Sequence, residues 1–333
     1  MTSVVIAAPV RPSARSGNDV TARRWAALLR SGGCRASVVP VDEHADEPSP
    51  AVVAALAAAD LLIAVHARRS AAVVEWWRRH RGGSPLVVAL SGTDLYGDLP
   101  GDPRALRAVE TADALVVLQE AAVRRVGEIV PGAGERTVVI HQSVDPADVP
   151  VRRTVTGELR VVVLAHLRKV KAPLLAARAA GRLPATSTVT VHHAGRAHDE
   201  SWAAAAAAEM RRNRRYHWHG ELDRAGAMAL LGSGHVLACT SVEEGGANVV
   251  SEAIAAGVPV IGTRIDGNTG LLGDDHPGFV AVGDEAALAE LLGRLEREPL
   301  LLDELGRRSG ELGPLTDPTL ERDRLADLIR SLS

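Results

Sequence analysis

Ser241-Val-Glu-Glu-Gly-Gly-Ala-Asn-Val-Val-Ser-Glu-Ala-Ile-Ala-Ala-Gly-Val-Pro-Val260 follows the short apolar run His235–Cys239. The run before it reads as a strand, Asn248–Ala256 as a helix, and Val258–Ile261 as the next strand. Glu244, Gly245 and Gly246 form the loop between strand and helix. Glycines there let backbone N–H groups approach a ligand closely, and a helix start favours an anion. Glu244 and Glu252 lie eight positions apart. A carboxylate accepts two hydroxyl hydrogens, so one suits a sugar and the other a ribose. The plainer reading is acidic residues complementing a helix dipole.

The same alternation runs outward in both directions. Towards the N-terminus the strand candidates are Ser3–Ala8, Ala36–Val41, Leu61–His66, Leu86–Ser91, Ala114–Leu118 and Thr137–His141. Helical patterns such as Val20–Arg30, Ser70–Arg81 and Glu120–Ile129 separate them, and Gly32-Gly33 and Gly82-Gly83 supply helix stops. Continuous apolar strands between helices predict a parallel sheet covered on both faces.

Val144–Glu158 breaks the pattern with Pro146, Pro150, Gly157 and scattered charge, and reads as a linker. Beyond it strands at Arg160–Ala165, Thr188–His193, Tyr216–His219, His235–Cys239 and Val258–Ile261 alternate with helices again. The expected fold is α/β: a domain over 1–150, a second over 151–315, and a last helix in 316–333 packing back on the first. Two such halves place a ligand cleft at the carboxyl ends of both sheets.

Composition narrows the function. Hydrophobic residues make up 46% of the 333 and charged residues 24%, the balance of a globular protein. Aromatics are only 2%, so Ala, Val and Leu must build the core. A net charge of -3 argues against a nucleic-acid or anionic-membrane partner. No apolar stretch approaches the roughly 20 residues that span a bilayer. Cys34 and Cys239 lack metal-ligand spacing and read as core residues of a reducing compartment. A cytoplasmic location is expected; oligomeric state is not encoded legibly.

Several polar residues end strands at the expected cleft. Leu61–His66 runs into Arg68-Arg69-Ser70, where basic side chains at a helix start make an anion site. Arg15, Gly17 and Asn18, after the first strand, form a second edge. Thr93 and Asp94 end another strand; Asp94 either orients a basic residue or caps a turn. These residues, with His66, are the expected acceptor pocket. His192-His193 makes a poor metal site, because adjacent strand residues point to opposite faces. No metal requirement and no cofactor are expected.

With those residues in place, Glu-x7-Glu followed by Glu-Ala and Gly-Val-Pro-Val-Ile resembles the donor-site motif of the retaining glycosyltransferase family with the GT-B fold. Ala112–Glu120 resembles its "AD-hydrophobic-S-E" segment, Val139–Asp145 its "IPNGVD" segment, and Leu167–Lys171 its "GRLxxxKG" segment. The resemblance implies two Rossmann-like halves and a nucleotide-sugar co-substrate. It implies that Arg168 and Lys171 hold the donor diphosphate, with Gly195 and Arg196 reaching it. Glu244, Gly245, Gly246, Ala247, Asn248 and Glu252 complete the donor site. Glu244, His66 and Lys171 are the residues expected to act on the reacting atoms. Two departures stand out: Gln142-Ser143 replaces Asn-Gly, and Ala165-His166-Leu167 replaces Gly-Arg-Leu.

A narrower match is visible in His66–Ala71, Gly92–Tyr96, Val117–Glu120, His192–Ala197, Glu244–Val249 and Arg264–Asn268. Together they resemble the selenosugar synthase family of selenoneine biosynthesis. That family joins selenium from selenophosphate to the anomeric carbon of a UDP-sugar, typically UDP-N-acetylglucosamine. The resemblance therefore implies UDP-sugar and selenophosphate as the two substrates. Other readings are an O-glycosyltransferase, an epimerase of the same fold and a nucleotide-binding module without activity.

Overall fold

The computed structural model describes residues 1–9, 17–152 and 156–332. Arg15 lies outside the described residues. The chain divides into two compact units. One takes Met1–Ser143, Glu244–Ala247 and Asp317–Ser333; the other takes Val144–Glu243 and Asn248–Thr316.

The first unit holds β1 (Ser3–Ala8), α1 (Gly17–Ser31), β2 (Arg35–Pro40), α2 (Pro50–Ala57), β3 (Leu61–Val65) and α3 (Ala71–His80). It continues through β4 (Leu86–Ala89), α4 (Pro103–Thr111), β5 (Ala114–Val117), α5 (Ala121–Ile129) and β6 (Thr137–Val139). All six strands are parallel, in the order β2-β1-β3-β4-β5-β6. Successive side chains of a strand point to opposite faces. Val5, Leu62, Val88 and Leu115 accordingly join one core with Trp76 and Trp77 of α3. Ile6, Ile63, Val87 and Val116 join a second with Trp25 of α1. Burial on both faces is why these strands read as unbroken apolar runs.

The second unit holds β7 (Leu159–Leu164), α6 (Leu175–Gly181), β8 (Val189–Ala194), α7 (Glu200–Arg212), β9 (Tyr216–Trp218), α8 (Arg224–Ser233) and β10 (Val236–Cys239). Then come α9 (Asn248–Ala255), β11 (Val260–Thr263), α10 (Asp266–Leu272), β12 (Phe279–Val280), α11 (Glu285–Arg297) and α12 (Pro299–Glu311). Its sheet is also parallel, ordered β12-β11-β10-β7-β8-β9. In both sheets the strand order reverses beside an early strand, the switch point where such folds bind ligands.

The final helix, α13 (Pro318–Ser331), belongs to the first unit. Its Leu325, Leu328 and Ile329 enter the core that contains Trp25. The division falls at Ser143/Val144, earlier than residue 150. The reason is local: Ser143 bonds Glu321 of α13, while Val144 N–H donates to Thr316 O at 3.0 Å. Among the described residues no helix is long and apolar enough to cross a membrane.

Candidate active site

In the second unit the loops after β7 and β8 carry Arg168, Lys171, Gly195 and Arg196, and α9 carries Asn248 and Glu252. Gly195 directly follows β8. A Cβ there would stand 1.9 Å from Ala165 O, so only glycine fits between the two strand ends. The strands stay paired one step further, through the Leu167–Ala197 bridge and a 2.9 Å bond from Leu167 N to Arg196 O. Arg168 then opens a single 3-10 turn, Lys169–Lys171, which ends on Ala172 in a left-handed conformation (φ 40°). Thr240 Oγ1 donates towards Ala172 O at 3.2 Å, and Val242 N–H to Val170 O at 2.8 Å. These bonds tie the turn bearing Arg168 and Lys171 to the chain leaving β10. A non-glycine residue held left-handed is strain that the surroundings must enforce, and such strain clusters at functional sites.

His166 stands where the resembled motif has arginine. Its Nδ1 accepts the Arg196 backbone N–H at 3.2 Å. The neutral ring therefore carries its proton on Nε2. Burial first, then the charges of Arg196, Arg168 and Lys171, push its pKa down, partly opposed by Glu221. Behind it His193 is fully buried; its Nε2 donates to Ala165 O at 2.8 Å and its Nδ1 takes the Tyr216 hydroxyl hydrogen at 2.9 Å. Burial pushes the His193 pKa down to about 4, so it stays neutral and holds the loop after β7. The opposite outward and inward faces of His192 and His193 follow the alternation expected of them.

Glu252 lies on the inner side of α9, nearly buried. Its Oε1 takes a hydrogen bond from Arg224 at the start of α8. The same guanidinium reaches Asp148 Oδ2 with Nε and Nη2, each at 3.3 Å. Neither Arg224 nor Asp148 was among the expected site residues. The only local signal was Asp223, an N-cap residue that places Arg224 on the first turn of a helix.

Glu244–Ala247 falls with the first unit, whereas Asn248 and Glu252 fall with the second. Within the first unit Gly245 abuts Gly92: a Cβ on Gly245 would be 2.5 Å from Gly92 N. One on Gly246 would be 2.7 Å from Leu118 Cβ. The glycine pair is thus also required by the protein's own packing, against the Gly92 backbone and the Leu118 side chain. The contact sets Glu244 beside the strand-end group that contains Thr93 and Asp94.

That group centres on His66. The residue is fully buried and its backbone is left-handed, with φ 73°. Nδ1 stands 3.1 Å from Asp94 Oδ1, and Thr93 Oγ1 lies 3.4 Å from Nε2. Asp94 Oδ2 also accepts the Ala67 N–H at 2.6 Å. Asp94 therefore both orients the imidazole and caps the turn after β3, in place of one or the other. It opens a π-helical turn, Asp94–Asp98, of the kind frequent at functional sites.

The two arginines of this segment differ. Arg69 Nε forms a 2.9 Å ion pair with Glu43. Arg68 is more loosely held, at 3.8 Å from Asp98 and 3.5 Å from Asp102, with over a third of its side chain exposed. Gly17 and Asn18 open α1. Among the described residues no group of three or more His, Cys, Asp or Glu side chains is placed to hold a metal ion.

The chain matches the family described as "Glycosyl transferases group 1" over residues 146–312. It belongs to that family. The fold is GT-B, and solved structures share it over the full length at low identity. Sucrose-phosphate synthase from Thermosynechococcus elongatus superposes with a TM-score of 0.83 at 15% identity, covering 100% of this chain and 99% of that one. Anabaena HepE, solved with UDP-glucose, gives 0.79 at 17% identity with 100% of both chains covered. The lipopolysaccharide outer core galactosyltransferase WaaB gives 0.68 at 14% identity, with 99% of each covered. No curated protein matches the chain. In this group 1 glycosyltransferase the matched region takes in Arg168, Lys171, Gly195, Arg196, Glu244 and Glu252, and also Asp148, Arg224 and His166.

Proposed function

We propose that this glycosyltransferase moves a sugar, N-acetylglucosamine, from its UDP conjugate to selenophosphate. The anomeric C1–O bond to the diphosphate breaks and UDP leaves with the bonding pair. Selenium supplies the pair for the new C1–Se bond. Water then cleaves P–Se, releasing phosphate and the selenosugar. Glu252 accepts the ribose hydroxyls and Glu244 the sugar hydroxyls. Lys171 and Arg168, with Gly195 and Arg196 beside them, neutralise the departing diphosphate, and His66 faces the sugar.

The observation that carries the reading is Arg68, a loosely paired guanidinium at the start of α3, next to the buried His66–Asp94 pair. A guanidinium fork matches a phosphate. Selenophosphate is already anionic, so transfer needs positioning and charge neutralisation more than a base. Support for a uridine nucleotide comes from HepE, which was solved with UDP and UDP-glucose. A hydroxyl acceptor is the second reading. His66 favours it, because a buried imidazole paired with a carboxylate is a group suited to general-base work.

The test is incubation with UDP-N-acetylglucosamine, with and without selenophosphate, followed by mass spectrometry. A selenium-containing N-acetylglucosamine formed only with selenophosphate is expected, in EDTA as well as without it. Transfer of the sugar to a carbohydrate acceptor, with no selenium product, would favour the second reading. Conversion of the UDP-sugar to an epimer would overturn both.

A further inference from the structure

Arg224 keeps 39% of its side chain exposed and bonds Glu252, yet no step above uses it. Each of its three nitrogens contacts a carboxylate. Nη1 bonds Glu252 Oε1, and Nε and Nη2 both reach Asp148 Oδ2 at 3.3 Å. With Glu252 on one side and Asp148 on the other, its charge is already matched by two carboxylates, which sets it apart from a cation waiting for a phosphate. Its neighbours explain its charge: burial alone would lower its pKa, and Glu252 and Asp148 more than reverse that.

The carboxylate it touches has its own constraint. Glu252 projects from α9 with only 12% of its side chain exposed. A carboxylate offers about four lone-pair positions, and Arg224 fills one on Oε1. Oε2 and the second position on Oε1 remain for other donors. Two neighbouring hydroxyls can fill both remaining acceptors, whereas an anionic phosphate would be repelled. Without the bond Glu252 could rotate about its side-chain torsions, and each ligand molecule would have to immobilise it again.

We infer that Arg224, braced by Asp148, is a positioning residue that fixes Glu252 for recognition of a vicinal diol on the nucleotide ribose. The inference rests on Glu252 being the ribose ligand. Arg224 sits at the first turn of α8 and Asp148 in the 3-10 turn Pro146–Asp148, so the brace joins three separate segments of the second unit.

The decisive readout is the ribose, not overall affinity. Calorimetric titration of the full-length protein with UDP and with 2′,3′-dideoxy-UDP separates the two. Arg224→Ala should weaken UDP by about five- to ten-fold, the scale of one charge-assisted hydrogen bond, while changing dideoxy-UDP by less than about two-fold. Arg224→Lys, which keeps the charge but cannot span both carboxylates, should recover only part of the loss. Glu252→Ala should lose about ten-fold for UDP and little for dideoxy-UDP. Equal losses for both nucleotides in the Arg224 variants, or none for UDP, would overturn the brace while leaving Glu252 in its role. A Glu252→Ala protein that binds UDP normally would overturn the ribose assignment itself.

Discussion

The carboxylate of Glu321 accepts a hydrogen bond from the indole N–H of Trp25 at 2.7 Å, across 296 positions of sequence. Arg24 Nε reaches the other oxygen at 2.9 Å, Ser143 N–H reaches it at 2.9 Å, and the Ser143 hydroxyl donates to it as well. A buried anion is tolerable only when its lone pairs are filled, and here donors from α1 and from the chain after β6 fill them. This gives Ser143 a physical purpose: its hydroxyl is one of those donors.

Glu321→Gln keeps the shape but turns an acceptor-only group into a donor facing donors. Removing one member of a buried charged network costs about 2–4 kcal/mol. The melting transition should fall by several degrees, while Ser143→Ala, which removes one donor, should lose about 1 kcal/mol. Circular dichroism melting curves decide it. An unchanged transition in Glu321→Gln would mean the clamp contributes nothing to stability.

Acid should destabilise the fold over a defined window. His192, His193 and His276 each have folded pKa values pushed down to about 4, chiefly by burial, from an ordinary 6.5. Between those values the unfolded chain binds protons that the folded chain refuses. Stability is therefore complete above pH 6.5, falls as pH drops towards 4, and these three contributions are lost below it. Chemical denaturation at pH 7.5, 6 and 5 should give a steadily smaller unfolding free energy. A value flat across that range would contradict the burial of these imidazoles.

Much of the fold could be read from the sequence because parallel strands buried on both faces have no polar alternation to hide them. The helices α2 and α4 are short, although each carries a start signal. Ser49 and Asp102 are N-caps followed by Pro50 and Pro103, and Asp102 accepts from the N–H groups of Arg104 and Ala105. Candidate residues that follow strands are legible by position: His66, Thr93, Asp94 and Gly195. Partnerships are not. Nothing near Glu252 in sequence announces Arg224, and nothing near Trp25 announces Glu321, because both pairs are made by tertiary folding. Sequence likewise ranked Arg68 and Arg69 together, and only Glu43, reaching in from the loop after β2, separates them.

Gly195→Ala should damage the donor site without touching any ligand-binding side chain. The new methyl carbon would lie 1.9 Å from Ala165 O and 3.0 Å from His166 N, so the two strand ends must separate. Overpacking of this kind costs about 1–3 kcal/mol. The displaced loops carry His166, Arg168 and Arg196, so UDP affinity should fall together with stability. Gly127 in α5 is the control, since a methyl there meets nothing within 4 Å. Gly127→Ala should stabilise by about 0.5–1 kcal/mol and leave UDP binding unchanged. A Gly195→Ala protein with native melting and native UDP affinity would show that the close approach is not required.

Arg68→Ala separates acceptor from donor. Arg68 is held at 3.8 Å by Asp98 and at 3.5 Å by Asp102, distances long enough that an incoming anion can compete for the guanidinium. Arg69, at 2.9 Å from Glu43, is committed. Loss of one charge-assisted contact corresponds to about ten-fold in affinity. Arg68→Ala should therefore raise the selenophosphate KM, or lower kcat, by about that factor, with UDP affinity within two-fold of wild type. Arg68→Lys should restore the charge but not the planar fork, and recover activity only in part. Arg69→Ala should instead lower the melting temperature through loss of the Glu43 ion pair, with a smaller effect on the acceptor. Paired titrations of UDP and selenophosphate on each variant read the difference. Equal loss of both ligands in Arg68→Ala would mark a folding defect, and no loss of either would return Arg68 to the solvated surface.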